Sequence, residues 1–221
     1  MKKLPIISSR IALAVGLLAP LDSQAQGTTY ISGLGAAPSG SLAIGSDSWA
    51  ATEFSSGTNS GGYFLDSIQL RMTDASGAPG GFSVMLYTAV GLGAPYPGSN
   101  LGSLSGSPGP STAGIYTYTA PADLLLSPGT SYFIVLTAES PIASGAYEWS
   151  YANTYSYNLM GGWNGTLCYD SADGSLWHSI STFYPEFAIN ATDLPVPEPS
   201  TFALLALGGL WLVRLKLKTA G

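Results

Sequence analysis

Cysteine and histidine are all but missing: Cys168 and His178 are single occurrences in 221 residues. A lone thiol forms no intrachain disulfide, and one histidine cannot build the multi-His or Cys/His sites that hold structural zinc. Charge is scarce too, at 9% of residues. Of the seven basic residues, Lys2, Lys3 and Arg10 open the chain, Arg214, Lys216 and Lys218 close it, and Arg71 stands alone between. Residues 26–199 therefore carry twelve carboxylates against one cation, a net charge of −11. Nucleic acids and anionic membrane surfaces both demand clustered Lys and Arg, so this segment binds no nucleic acid. No Gly-x-Ser-x-Gly motif is present, and a serine hydrolase would have to use His178 as its base. Long apolar runs are absent as well: Ile11–Leu21 is about half of the ~20 residues needed to span a bilayer.

What is present at the amino-terminal end has the form of a secretion signal. Lys2 and Lys3 precede the Ile11–Leu21 run, and Ser23-Gln24-Ala25 is a small-x-small cleavage site. Residues 1–25 are expected to be a signal peptide, handled by the secretion machinery and removed by signal peptidase after Ala25. At the other end, residues 193–201 are too rich in proline for helix or interior strand and are expected to be an extended linker. An apolar stretch, Phe202–Val213, follows, and Arg214, Lys216 and Lys218 come after it. As a helix these residues would cover about 18 Å, short of the ~30 Å hydrocarbon core. Snorkelling basic stems would lengthen the buried part, so residues 202–221 are expected to form a short transmembrane helix with a basic tail. The positive residues after the span place the body of the protein outside.

Val196-Pro197-Glu198-Pro199-Ser200-Thr201, the apolar segment with Gly208-Gly209, and the basic end from Arg214 resemble the PEP-CTERM sorting tail, also described as an ice-binding-protein carboxy-terminal motif. The resemblance implies recognition by an exosortase-like membrane transpeptidase and a membrane-anchored intermediate that ends at the cell surface or outside the cell. It makes Pro197, Glu198, Pro199 and Arg214 the sorting residues. It also implies a bacterium that makes extracellular polysaccharide.

Between the two ends, residues 26–45 are rich in Gly, Ser, Ala and Thr and read as a low-complexity leader or a loose first strand. From Trp49 onward, period-two alternation broken by turn residues marks half-buried antiparallel strands. Ile68, Leu70 and Met72 alternate with Gln69 and Arg71 until Asp74–Gly80 ends the run. Phe82, Val84 and Leu86 follow, then a Gly-Pro-Ser stretch from Gly91 to Pro110 expected to be a loop. Tyr132, Ile134 and Leu136 come after Ser127-Pro128-Gly129-Thr130, whose Gly129 takes the positive φ of a type II turn. Cys168 is expected inside a strand and buried. Eight to ten short strands without a convincing helix predict an all-β, two-sheet jelly-roll-like sandwich over residues 46–192.

The strand patterns Trp49–Phe54, Leu65–Leu70, Phe82–Tyr87 and Leu126–Leu136 are similar to those of the choice-of-anchor R domain, a bacterial surface domain found with varied anchors. That resemblance implies fold and location and carries no catalytic residues.

Candidate chemistry is thin. Glu148 and Glu186, flanked by aromatics, are the best carboxylate pair for glycoside hydrolysis. Asp170-Ser171-Ala172-Asp173-Gly174 gathers oxygens for calcium but lacks the spacing of a calcium loop, and a plain turn is favoured, so no cofactor is expected. Aromatics crowd the second half, and Trp149, Trp163 and Trp177 are the candidates for stacking on sugar rings, against ordinary core packing. The composite expectation is a non-enzymatic surface or matrix protein acting in adhesion or exopolysaccharide association. The alternatives are a carbohydrate-binding module and a glycan-active enzyme.

Overall fold

Alternation and turn chemistry become strands almost from end to end. The computed structural model describes residues 27–196, except Leu92, Ser181 and the Leu167 side chain. The signal segment 1–25, the sorting residues Pro197, Glu198, Pro199 and Arg214, and the apolar segment 202–221 lie outside the described residues.

In chain order the strands open with β1 (Thr28–Ser32), β2 (Gly40–Ile44), β3 (Trp49–Ser55), β4 (Tyr63–Gly77) and β5 (Phe82–Val90). Next come β6 (Tyr96–Leu104), β7 (Gly114–Thr119), β8 (Leu125–Leu126), β9 (Ser131–Ala138) and β10 (Gly145–Ala152). The series closes with β11 (Asn158–Leu159), β12 (Asn164–Ser171), β13 (His178–Ile180), β14 (Tyr184–Pro185) and β15 (Phe187–Asp193). A single 3-10 turn, Ile142–Ser144, is the one helical element among the described residues. All pairings are antiparallel and form two sheets that pack as a sandwich. The first has the order β11-β1-β15-β4-β10-β14, with β2 beside β10 and with β7 and β8 beside β4. The second has the order β13-β12-β3-β9-β5-β6.

The alternating residues meet between the sheets. Ile68, Leu70 and Met72 of β4 face Phe82, Val84 and Leu86 of β5 and Tyr132, Ile134 and Leu136 of β9 in one buried cluster. Within β4 the inward parity changes from Tyr63 and Leu65 to Ile68, because Asp66 is an extra residue opposite the Asn190–Ala191 step of β15. Such a bulge bends a strand and redirects its side chains. Strand β9 is apolar on both faces: Phe133 and Val135 join Ala51, Met85 and Tyr169 in a second cluster on the outer face of the second sheet. Cys168 is buried in β12. Gly129 has φ +57°, the positive dihedral its turn requires.

Three expectations need correction. Of the two readings of residues 26–45, the strand holds and the leader does not, and the stretch supplies two strands: β1 pairs with β15 and β2 with β10, so the sandwich begins before residue 46. Strand β4 does not stop at Asp74, because Gly145 and Ala146 of β10 pair with Gly77 and Ser76 and extend the ladder through polar residues. The Gly91–Pro110 stretch contains β6, an edge strand on β5 whose register shifts twice. An edge strand needs a hydrogen-bonding partner and little apolar surface, and it tolerates Pro and Gly, which is why Pro97 and Gly98 hid it. The strand count rises to fifteen among the described residues, several of only two or three residues.

The β14–β15 junction organises the first sheet. Strand β10 pairs with β4 through Trp149 and then diverges to pair with β14 through Tyr151 and Ala152. Glu186 fills the fork. Its N–H donates to the Ser150 carbonyl (2.9 Å), and its carbonyl accepts from the Arg71 N–H (3.0 Å) and from Trp149 Nε1 (3.3 Å). Its carboxylate, 1% exposed, accepts from Ser150 Oγ and lies 3.5 Å from Arg71 Nε, a separation that makes an ion pair and not a hydrogen bond. Arg71 Nη2 donates to the Leu34 carbonyl in the β1–β2 loop.

Burial also fixes the proton state of the interior. It pushes the Cys168 thiol up to about 12, and burial followed by the Asp193 carboxylate pushes the Tyr30 phenol up to about 12. Burial raises Tyr118 and Tyr157 as well. In the unfolded chain thiols titrate near 9.0 and phenols near 10.0, so unfolding at high pH releases protons. The stability these neutral groups confer is complete below about pH 9 and is lost as pH rises through 12. Thermal unfolding midpoints should hold level from neutral pH to about 9 and then fall, and a thiol reagent at neutral pH should label Cys168 only in denaturant. Rapid labelling of the native protein would contradict the buried placement.

Candidate functional site

The outer face of the second sheet is where polar and aromatic groups converge beside a cleft. On β3 the inward residues are Ala50 and Phe54, which leaves Trp49, Ala51 and Glu53 on the outside. Next to them, Tyr169 of β12 packs its ring edge-on against Phe133 at 5.2 Å, and Trp177 and Tyr87 border the same apolar cluster. Beyond Glu53 the surface drops into a cleft of about 560 Å³. Glu53, Thr166 and Tyr169 line it together with Tyr155, Tyr184, Asn164 and the Gly93–Pro95 turn.

The cleft is ordered by hydrogen bonds and by ring packing. Thr166 Oγ1 donates to Glu53 Oε2 at 2.8 Å, and the Tyr155 hydroxyl donates to Asn164 Oδ1 at 3.1 Å. Tyr155 stands edge-on to Tyr184 (5.5 Å) and to Tyr157 (5.2 Å), and Tyr157 is fastened by its hydroxyl to the Pro185 carbonyl at 2.8 Å. Tyr155 is 47% exposed, so much of its surface remains open to a ligand. Burial, then the neighbouring Tyr184, raises the Tyr155 phenol; burial, then Glu53, raises that of Tyr169. Phenols are neutral O–H groups at physiological pH in any case, and burial keeps these two neutral to higher pH. The lining residues contain one carboxylate and no cation. Neutral hydroxyl donors, amide groups and ring surfaces are suited to a neutral polyol and offer no countercharge to a phosphate or sulfate.

The three candidate tryptophans separate sharply. Trp149 (0% exposed) and Trp163 (2% exposed) are core residues and cannot offer a face to a sugar, which corrects their place among the glycan contacts. Trp163 stacks on Tyr30 at 4.8 Å and lies parallel to Phe54 at 6.0 Å. Trp177 is half-buried on the outer face, with Nε1 donating to the Gly174 carbonyl at 3.1 Å. Neither Glu148 nor Glu186 lies in the cleft. Glu148 accepts from Ser41 Oγ at 2.7 Å, and Glu186 is sealed in the sheet fork. Asp173 caps its own turn by accepting from the Ser175 N–H (2.9 Å) and Oγ (2.6 Å), and these bonds lower its carboxyl below the usual range. Among the described residues no group of three or more His, Cys, Asp or Glu is placed to hold a metal. His178 is exposed at the start of β13, paired in register with Asp170. Glu53 and Tyr184 escaped sequence reasoning as partners because only the pairing of β3 with β12 brings residue 53 beside residue 166.

The carboxy-terminal pole is the second landmark. Strand β15 ends at Asp193, and the chain continues to Leu194, still hydrogen-bonded to the domain, before the proline-rich segment. Residues 195–216 match the PEP-CTERM protein-sorting motif. The PEP-CTERM match implies export, membrane-anchored processing and sorting by an exosortase-type system. It covers the tail alone and leaves the likeness of the central region to the choice-of-anchor R domain without support. Comparison with curated proteins and with solved structures produced no match. No helix among the described residues is long and apolar enough to cross a membrane.

The split between core and surface tryptophans is measurable. Trp163→Ala should cost about 3–5 kcal/mol in denaturant unfolding, the usual cost of emptying a large buried site. Trp177→Ala should cost about 1–2 kcal/mol, because only part of its surface is removed from water. Equal losses at the two positions would contradict this assignment.

Proposed function

We propose that the protein is a non-catalytic component of the cell surface or extracellular matrix that holds neutral polysaccharide in the Glu53–Tyr155 cleft. The observation that carries this reading is the cleft lining itself: neutral phenols, an amide and a single carboxylate, with exposed aromatic surface beside them. Sugar hydroxyls would bridge Glu53 and Asn164, while Tyr155 and Tyr184 would pack against the apolar faces of the rings. The −11 charge of the body disfavours anionic polymers at long range and favours uncharged ones. Adhesion and a role as a carbohydrate-binding module merge in this reading, with the half-buried Trp177 as an outlying contact.

A glycan-active enzyme is disfavoured by the same geometry. Both retaining and inverting mechanisms use two facing carboxyl groups, roughly 5 to 10 Å apart. The cleft supplies Glu53 alone. The delivery route in this proposal begins with a signal peptide over residues 1–25, removed by signal peptidase. It then uses a short membrane helix over residues 202–221 and an exosortase-like transpeptidase that reads Pro197, Glu198, Pro199 and Arg214. A jelly-roll-like sandwich of the choice-of-anchor kind fits that route.

A glycan array probed with the full chain in detergent should show binding to neutral polysaccharides. Tyr155→Ala and Tyr184→Ala should each weaken it about tenfold, matching the ~1.4 kcal/mol of a lost ring contact. Binding that survives both substitutions, or no binding to any glycan, would overturn the proposal.

A further inference from the structure

The domain does not release its chain where its last strand ends. After Asp193, the Leu194 N–H donates to the Gly62 carbonyl at 3.0 Å. Asn59 then brackets the same point: its Nδ2 donates to the Gly62 carbonyl at 2.8 Å and to the Leu194 carbonyl at 2.9 Å. The bracket is itself anchored, because the Asn59 N–H donates to the Tyr63 hydroxyl at 3.0 Å and Tyr63 stands edge-on to the buried Trp163 at 4.8 Å. Approach of the two chain segments is so close at Gly61 that a Cβ there would sit 2.7 Å from the Leu194 oxygen and 3.2 Å from the Pro195 oxygen. The sorting motif begins at Pro195, one residue beyond the bracketed Leu194. Two residues, Pro195 and Val196, separate Leu194 from Pro197, so the chain between them can reach at most about 10 Å. Because Thr28 pairs with Ala191, the amino-terminal end of the sandwich leaves from the same pole.

We propose that Asn59 and the Gly61–Gly62 backbone form a tether that holds the sorting motif against the folded domain and so limits the approach of the membrane peptidase. The inference rests on the exosortase reading above. Processing breaks one peptide bond of the tail. The acyl carbon passes to water or to an amine acceptor, and the departing segment keeps the nitrogen and gains a proton. None of that chemistry belongs to this chain, whose contribution is distance. With the bracket closed, two residues of chain, a reach of at most ~10 Å, are all that lies between the sandwich and the Pro-Glu-Pro residues. When it opens, the anchor point retreats to Asp193 at the end of β15, Leu194 joins the free reach, and Pro195 is released from its close approach to Gly61, so the enzyme can approach. Asn59 is thus a positioning residue and not a catalytic one.

The experiment is a pulse-chase of the full-length protein in a host with an active exosortase, following conversion of precursor to the shorter form. Asn59→Ala should speed conversion roughly tenfold, as expected for loss of the hydrogen bond to the Leu194 carbonyl together with the one that fixes Gly62, the acceptor of the Leu194 N–H. Insertion of a Gly/Ser spacer between Pro195 and Val196 should speed it similarly, and because the insertion lies beyond the bracket it does not depend on how the Asn59 variant folds. A Pro197→Ala, Glu198→Gln variant tests the underlying reading and should stop conversion. If that variant stops conversion while Asn59→Ala and the spacer leave the rate unchanged or slow it, the tether is wrong and the sorting assignment stands. Normal conversion of the motif variant would overturn the sorting assignment and the tether with it.

Discussion

The first sheet depends on one interaction, the ion pair between Arg71 and Glu186. Strand β4 is fifteen residues long and serves two partners on one edge, β15 along its first half and β10 along its second. Where those partners part, the sheet would leave unpaired backbone, and Glu186 closes the gap with its own N–H and C=O. Placing a carboxylate there is expensive, because a buried charge must recover its lost hydration from partners. Ser150 Oγ supplies a hydrogen bond and Arg71 the countercharge. Arg71 is the only Lys or Arg among residues 26–199, so twelve carboxylates share one cation and the most buried of them holds it. The Leu34 carbonyl takes another arginine donor, which ties the β1–β2 loop to the same point.

Apart from that pair, the domain is held by its core. With one buried thiol and no disulfide, the sandwich relies on the cluster between the sheets and on the smaller cluster outside the second sheet. The outer cluster gives the candidate site a rigid floor, since Phe133, Val135 and Tyr169 are packed beside Glu53. The main core and the candidate site thus lie on opposite faces of the second sheet. The same packing raises the Tyr155 and Tyr169 phenols, through partial burial. At the far end of the chain the geometry is as tight, with the fold running to Leu194 and the sorting motif starting at Pro195.

Much of this was legible in the sequence where side chains alone decide the structure. Ile68, Leu70 and Met72, and Phe82, Val84 and Leu86, announced their inward faces by period, and the Pro-Glu-Pro segment announced the tail. The sequence was silent where backbone pairing decides: β6 is written in Gly, Pro and Ser because an edge strand is held by its ladder to β5. The tryptophans show the same limit. Trp149, Trp163 and Trp177 are alike in composition and neighbourhood, yet strand parity and sheet pairing put two in the core and one on the outer face. Glu186 looked like a candidate acid because aromatics surround it, and those same neighbours mark a buried structural charge. Glu53 gave no signal, because its partner Thr166 is 113 residues away in the chain.

The most direct test of the Arg71–Glu186 pair as the organising contact is a double-mutant cycle in denaturant unfolding. Removing Arg71, as Arg71→Met, should cost about 3–5 kcal/mol, because it strands the buried Glu186 carboxylate, and Glu186→Leu should cost less, about 2 kcal/mol, because Arg71 is 30% exposed and keeps the Leu34 carbonyl. Removing both together should cost far less than the sum, leaving a coupling energy of at least about 2 kcal/mol. Single losses below about 1 kcal/mol, or losses that simply add, would show that the first sheet holds its fork without the pair.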